Sequence, residues 1–512
     1  CGIGMTSSAA AGYITDVDYI PGFYPHMSPV AMRYAASLNL VVPPATTRGF
    51  RYLELGCGLG RSLTTLAAAN PQGEFIGVDV NPNHVAAIER DLAAGELTNA
   101  RVLATDFANL PEDLGRFEFL ALHGVFSWVA PEVRGQILAI AQQHLAPGGL
   151  LLVSYNAMPG WAHLQPIRGI LRQYAALRQG DSVQRIREAL DYIRFIRDKK
   201  AKYFEDNPLA AAYVEALLNQ DSRYLAHEYL NEHWTSFYFS EVAEMFGSAG
   251  LAFVGSLPIH TNFWDLCVRP EFQELFRTTS NRLVTESHKD FCANTAFRWD
   301  IYASQPRLIQ SPAERLRQVD DLYFRAARAN ITLPHQANLG VVTSTVQGPL
   351  YETLLKRLGS TSLRLSEILA DQSLNGTPQP ELMRAVDAGV ALGLFDVTAG
   401  PIGEGAATVG TTVNIVSPLN RSILRDDALG GRPVTLASVA SGTGHTLGDF
   451  EAAILHELSS GGSAGLVQRV EARLSSSGRS LQQDGKPVND PTARQKLVEL
   501  ACTNFTTGSL PQ

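Results

Sequence analysis

The stretch Arg51-Tyr52-Leu53-Glu54-Leu55-Gly56-Cys57-Gly58-Leu59-Gly60 runs an apolar strand into three alternating glycines and then into a helix that starts near Arg61. Missing side chains let a ligand lie against the backbone at such a turn. Glycine turns join strands to helices in many folds, so the surroundings decide the reading. Outward from it, short apolar runs alternate with helical stretches. The strands read as Arg51 to Leu55, Glu74 to Asp79, Ala100 to Thr105, Phe117 to Leu122 and Leu150 to Tyr155, with Ala146-Pro147-Gly148-Gly149 breaking the helix before the last. This order predicts an α/β fold with a doubly wound sheet.

Strand signals vanish between Gln165 and Asp221, where Ile186, Leu190, Ile193 and Ile196 recur at helical spacing. A helical insertion is predicted there. Phe239 to Ala249 then reads as a helix and Leu251 to Leu257 as a strand that completes the sheet. Residues 263–345 read as a helical middle domain, with Ser311-Pro312-Ala313-Glu314 forming a capped helix start. Past it, Ser362 to Leu369 and Glu381 to Leu394 suggest paired helices followed by a strand, a winged-helix-like α+β order. Ala399 to Thr411 and Ser459 to Gly465 read as loops. The predicted boundaries are 1–164 for the nucleotide-binding core, 165–221 for the insertion, 222–262 for completion of the core, 263–345 for the middle domain and 346–512 for the C-terminal domain.

The 512 residues are 45% hydrophobic, enough for several buried cores. A net charge of −8 spreads no basic field over the surface, and the tail from Val346 holds thirteen basic and sixteen acidic residues. No nucleic-acid partner is expected. The ten Lys and Arg against five Asp and Glu between Gln165 and Glu205 suit either an acidic substrate or a solvated helix face. Five scattered cysteines form no CxxC pair, which points to a reducing, cytoplasmic setting. No apolar run is long enough to span a bilayer, so no membrane insertion is expected, and Cys1 to Gly12 does not resemble a secretion signal. Met5 is expected to be the natural start, after a four-residue cloning remnant.

Asp79 ends the second strand, where a carboxylate can accept both hydroxyls of a ribose. Thr105-Asp106-Phe107 ends the third, offering an acceptor for an adenine amine and an aromatic ring for its face. Three successive strand ends thus supply one pocket at the carboxyl edge of the sheet. A dinucleotide such as NAD prefers Gly-x-Gly-x-x-Gly, and here the third glycine comes one residue early.

With Glu54 two residues ahead of Gly56, this spacing resembles the first motif of class I S-adenosylmethionine-dependent methyltransferases, which have a Rossmann-like sheet. Phe23-Tyr24-Pro25-His26-Met27-Ser28-Pro29, His123-Gly124-Val125-Phe126-Ser127-Trp128-Val129 and Val153-Ser154-Tyr155-Asn156-Ala157-Met158-Pro159-Gly160-Trp161 narrow it. They look like bacterial methyltransferases with a methyltransferase regulatory domain, a group that includes rickettsial protein lysine methyltransferases. His227-Glu228-Tyr229-Leu230 and Asp290-Phe291-Cys292-Ala293-Asn294-Thr295-Ala296-Phe297-Arg298 extend the match, which is specific over about residues 20–310. Leu59 stands where that family often has a small acidic residue or glycine. The resemblance implies S-adenosyl-L-methionine as cofactor, S-adenosyl-L-homocysteine as product, and contacts from Tyr24, Glu54, Gly56, Cys57, Gly58, Asp79, Val80, Asp106, Phe107 and His123.

His123 and Trp128 follow the fourth strand and either shape an acceptor pocket or sit as packed, satisfied side chains. Tyr155, Asn156 and Trp161 follow the fifth and either surround an amine or cap the sheet end. His227, Glu228 and His233 lack His-Glu-x-x-His spacing and a third ligand, so no metal is expected. A protein or peptide is the expected substrate, with lysine the leading acceptor. Its amine must lose a proton first, since its ordinary pKa is about 10.4. A small metabolite, a natural-product peptide, or a silent cofactor-binding regulator are the alternatives.

Overall fold

The computed structural model describes residues 16, 21–328, 331–402, 413–478, 481–483, 486–488 and 490–507. The first unit holds α1 (Pro29–Leu38), β1 (Phe50–Leu55), α2 (Arg61–Ala69), β2 (Gly73–Asp79), α3 (Pro82–Ala94), β3 (Ala100–Ala104), β4 (Phe117–Leu122), α4 (Pro131–His144) and β5 (Leu145–Asn156). Five helices follow: α5 (Gln165–Ala176), α6 (Ser182–Asp198), α7 (Lys202–Asp206), α8 (Pro208–Leu218) and α9 (Ser222–Leu230). Their apolar faces share one core around Leu171, Ile186, Ile193 and Leu225, so the insertion runs to Leu230 rather than to Asp221.

The chain then returns to the sheet through α10 (Phe239–Ser248) and β6 (Leu251–Leu257), passes α11 (Trp264–Cys267), α12 (Gln273–Thr278) and α13 (Arg282–Ala293), and adds β7 (Phe297–Ser304). The seven strands lie in the order β3-β2-β1-β4-β5-β7-β6. The first five are parallel, and β7 runs antiparallel between β5 and β6. Strand order reverses between β1 and β4, which opens a crevice at their carboxyl ends.

The seventh strand corrects the all-helical reading of 263–345. Arg298 and Asp300 point inward among Ile301, Tyr302 and Ala303, so charged residues occupy buried positions and mask the strand's apolar pattern. Arg298 is matched there by Asp300, Asp290 and Glu286, with Nη1 donating to Asp290 at 2.6 Å and Nη2 to Glu286 at 2.9 Å. Burial would raise the pKa of Glu286, but Lys289 and then Arg298 outweigh it and bring it down to about 2.

Beyond the sheet lie α14 (Pro312–Val319), β8 (Tyr323–Ala326), β9 (His335–Asn338), β10 (Thr343–Val346), α15 (Pro349–Ser360), β11 (Leu363–Arg364), α16 (Leu365–Leu369), α17 (Gln379–Ala391) and β12 (Phe395–Thr398). The expected order of paired helices and then a strand is seen in α16, α17 and β12, but β12 joins a sheet β11-β8-β12 whose central strand, β8, precedes residue 346. At four residues β8 is too short to show a period. As expected, Ser311 caps α14 by accepting from the Glu314 N–H.

A further unit comprises α18 (Pro418–Asp427), the hairpin β13 (Val434–Ser438) and β14 (Thr443–Leu447), α19 (Asp449–Gly461), α20 (Leu466–Ser476) and α21 (Pro491–Thr507). Residues 346–507 therefore contribute to two units with separate cores, not one. Ser459 to Gly461 form the last turn of α19 rather than loop, while most of Ala399 to Thr411 lies outside the described residues. Among the described residues no helix is long and apolar enough to cross a membrane, and the four described cysteines form no disulfide with one another.

Replacing Arg298 by Ala leaves three buried carboxylates without their shared cation. We expect R298A to lose about 3–5 kcal/mol of stability, read as a lower urea midpoint; an unchanged midpoint would contradict this account of the network.

Candidate active site

The crevice deepens into a cavity of about 480 Å³ lined by the ends of β1, β2, β3 and β4 and by residues of α9. That volume suits a small-molecule ligand. After β1 the chain turns with Gly56, Gly58 and Gly60 all at positive φ, between 55° and 70°. A Cβ at Gly56 would strike Val125 at 2.5 Å, whereas one at Gly58 would meet nothing within 4 Å. Gly56 is therefore required by packing, and Gly58 presents bare backbone to the cavity.

Asp79 is held in place from three sides. Its Oδ2 accepts from the Gly58 N–H at 2.8 Å; its Oδ1 accepts from the Asn81 N–H at 2.9 Å and meets His84 Nδ1 at 3.1 Å. A carboxylate offers about four lone-pair sites, so acceptor capacity remains for a ligand's hydroxyls. Asp106 caps a short turn by accepting from the Asn109 N–H, and Phe107 beside it lines the cavity.

Glu54 is buried, and its Oε2 has no hydrogen-bond partner. Burial, and next the neighbouring Asp79 charge, push its pKa up to about 8. An unpartnered buried carboxyl on the wall of a cavity calls for a donor from the occupant, and an ammonium group is the donor that fits it best. The residues thus fit an aminoacyl nucleoside: Asp79 for the sugar, Gly58 for close approach, Glu54 for the amine.

His123 faces the same space, with its ring stacked on Trp299 at 4.3 Å and 3.7 Å from Tyr24, centroid to centroid. Its Nδ1 lies 2.7 Å from Ser154 Oγ. Burial, and next His26, lower its pKa to about 3, so the imidazole is neutral at physiological pH. His123 is thus both a packed, satisfied histidine and a wall of the cavity. Trp128 also lines it, and its Nε1 has no acceptor.

All ten residues expected to contact the cofactor line this one cavity. Of the five expected at the acceptor, His123 and Trp128 do. Tyr155, Asn156 and Trp161 do not: Tyr155 is fully buried and donates to Asp300, Asn156 lies buried beneath the loop that carries Ser127, and Trp161 packs edge-on to Trp234 in the helical insertion. The sheet-end reading describes them better than the amine cage, because their neighbours leave no face open to the cavity.

The wall supplied by α9 and the residues after it, His227, Glu228, Asn231 and His233, was not expected at the cavity. Its sequence signal was the pair His227-Glu228 inside the otherwise apolar run Leu225 to Leu230. Among the described residues no group of three or more His, Cys, Asp or Glu side chains is placed to hold a metal.

Because Glu54 is harder to ionise in the folded chain than in the unfolded one, its charging costs stability as pH rises from about 4.5 to 8, and the full cost is present above 8. Replacement by Gln removes that dependence. E54Q should therefore gain roughly 1–3 kcal/mol over the parent protein between pH 5 and pH 8, while binding S-adenosylhomocysteine at least about tenfold more weakly. Denaturant titrations at both pH values and calorimetry of ligand binding check the two halves; parallel stability curves would refute the assignment.

Comparison with known proteins agrees with this geometry. Residues 53–149 match the family described as a methyltransferase domain, and residues 221–304 the one described as a predicted methyltransferase regulatory domain. An uncharacterised Synechocystis sp. protein is 29% identical over 503 residues, 98% of this chain and 97% of its own length. An uncharacterised Rickettsia prowazekii protein is 29% identical over 238 residues, 45% of this chain and 91% of its own. The structure of PKMT2 from Rickettsia typhi in complex with AdoHcy aligns with a TM-score of 0.73 at 20% identity, covering 95% of this chain and 98% of that one. That likeness shows a common fold over nearly the whole length.

Proposed function

This chain carries a class I S-adenosylmethionine-dependent methyltransferase domain, and from that premise we propose that it methylates lysine side chains of a protein or peptide. The observation that carries the proposal is one cavity lined both by the strand-end residues expected at the cofactor and by residues of α9, which could meet an acceptor. The shared fold with PKMT2 and the resemblance of the motifs to rickettsial protein lysine methyltransferases support lysine over other acceptors. A bacterial cytoplasm is the setting in which we place the reaction.

The cofactor supplies an electrophilic methyl group on a sulfonium. Displacement at such a carbon needs donor and nucleophile close, aligned and shielded from water, so the protein's task is mainly positioning. Asp79, already oriented by three contacts, holds the sugar, and Glu54 holds the amino group. Phe107 flanks the base. His123, kept neutral, adds no positive charge to repel either the sulfonium or an arriving ammonium.

Incubation with methyl-labelled S-adenosylmethionine and a bacterial lysate should put label into protein, recovered as methyl-lysine after acid hydrolysis. Label confined to small molecules would overturn the protein reading, and label on another residue type the lysine reading.

A further inference from the structure

The wall that α9 presents to the cavity is chemically unlike the strand-end wall. Glu228 opens on the cavity, half-buried, and no ion pair among the described residues neutralises it. Arg168, whose charge acts on Glu228 from outside ion-pair distance, is bonded to other groups: Nη2 donates to the Asn231 carbonyl, and the guanidinium lies 5.1 Å from the centre of the Trp234 ring. The Glu228 charge raises the hydroxyl pKa of Tyr24, which lines the same cavity, and that of Tyr213, Tyr224 and Tyr229, which pack in or against the core of the helical insertion. Tyr24 joins the two walls, since Glu54 acts on it from the sheet side and its ring meets His123.

A cavity-lining carboxylate with no ion pair, sharing its cavity with the Tyr24 ring, is a receptor for an organic cation, because the charge pairs with the ammonium and an aromatic face attracts it. Building on the methyltransferase reading, we propose that Glu228 is the acceptor-side carboxylate: it binds the substrate's ammonium opposite Glu54, takes its proton, and so confines the enzyme to acceptors that arrive as cationic amines. Proton transfer turns the ammonium into a neutral amine and Glu228 into a carboxylic acid. The freed lone pair then forms the new N–C bond as the C–S bond breaks, with that electron pair remaining on sulfur. Glu228 returns its proton to water at the mouth of the cavity.

The other candidate base on these walls does not suit the task. A histidine whose pKa is about 3 cannot hold a proton taken from an amine, whereas burial pushes Glu228 up to about 8, nearer the range of an ammonium beside a sulfonium. Glu54 has the matching property, but on the reading proposed above it would take the cofactor's amine.

The test uses the full chain loaded with S-adenosylhomocysteine and two probes of equal length, n-butylamine and n-butanol, titrated by calorimetry into the parent protein and into E228Q. The parent complex should bind the amine in preference to the alcohol. E228Q should bind the amine about tenfold more weakly, the alcohol equally well, and S-adenosylhomocysteine itself unchanged, which also reports that the variant is folded. Equal amine binding by the two proteins, or no preference for the amine in the parent, overturns the proposal. So does weakened S-adenosylhomocysteine binding by E228Q, which would make Glu228 a cofactor contact. Failure of the parent protein to bind S-adenosylhomocysteine would instead remove the methyltransferase reading.

Discussion

The carboxylate of Asp79 fastens the ligand edge of the sheet. One oxygen receives the Gly58 N–H from the turn after β1, and the other receives the Asn81 N–H and faces His84 at the start of α3. A turn built from three glycines at positive φ has little side-chain packing of its own to hold its shape. Its conformation depends on bonds such as this one, together with those from the Gly56 and Cys57 N–H groups to the Val78 carbonyl. The acid expected to grip a sugar also shapes the glycine loop beside it, so the ligand meets a surface that needs little rearrangement.

Two C-terminal units extend this constraint to the helices behind the loop. Asp387 on α17 accepts from Tyr34 on α1 at 2.7 Å and from both guanidinium ends of Arg315, in a buried cluster that anchors the winged-helix-like unit to the core. The last unit seats its hairpin on α2, where Asn70 donates to the Gly442 carbonyl, while Asp427 pairs with Arg61 on the first turn of α2. Arg61 and Gly60 belong to the cavity wall. Both units therefore brace helices of the core, the last one through Arg61 at the cavity wall.

The core was legible in the sequence because its signals are local. An apolar strand, a glycine turn and an acid at the next strand end fall within about thirty residues, and each has one main physical use. What was hidden depends on distant partners. The register of β7 is buried because Arg298 finds acids on α13, over the turn from β7, and Asp300 on its own strand, and no window around Phe297 reveals that compensation. Tyr155 looked like a cavity aromatic because it ends a strand at the ligand edge, yet its hydroxyl is drawn to Asp300 on the strand paired with it. Glu228 was visible as an acid in an apolar helix. Its position opposite the strand ends follows only from the packing of α9 on α5 and α6.

The electrostatics of the cavity follow from burial more than from any single neighbour. Burial is the leading cause in each case: it raises Glu54 and Glu228 to about 8 and lowers His123 to about 3. Every ionisable group so affected is thereby driven toward neutrality. Such a cavity favours cations, whose arrival would let the carboxyls ionise, and a sulfonium amino acid and an alkylammonium are both cationic. Two carboxyls lining it could each meet one of them, while a neutral imidazole adds no opposing charge. The helical insertion matters for this reason. An open crevice would leave Glu228 solvated and near its ordinary pKa, where it would hold an incoming ammonium weakly and take up its proton poorly.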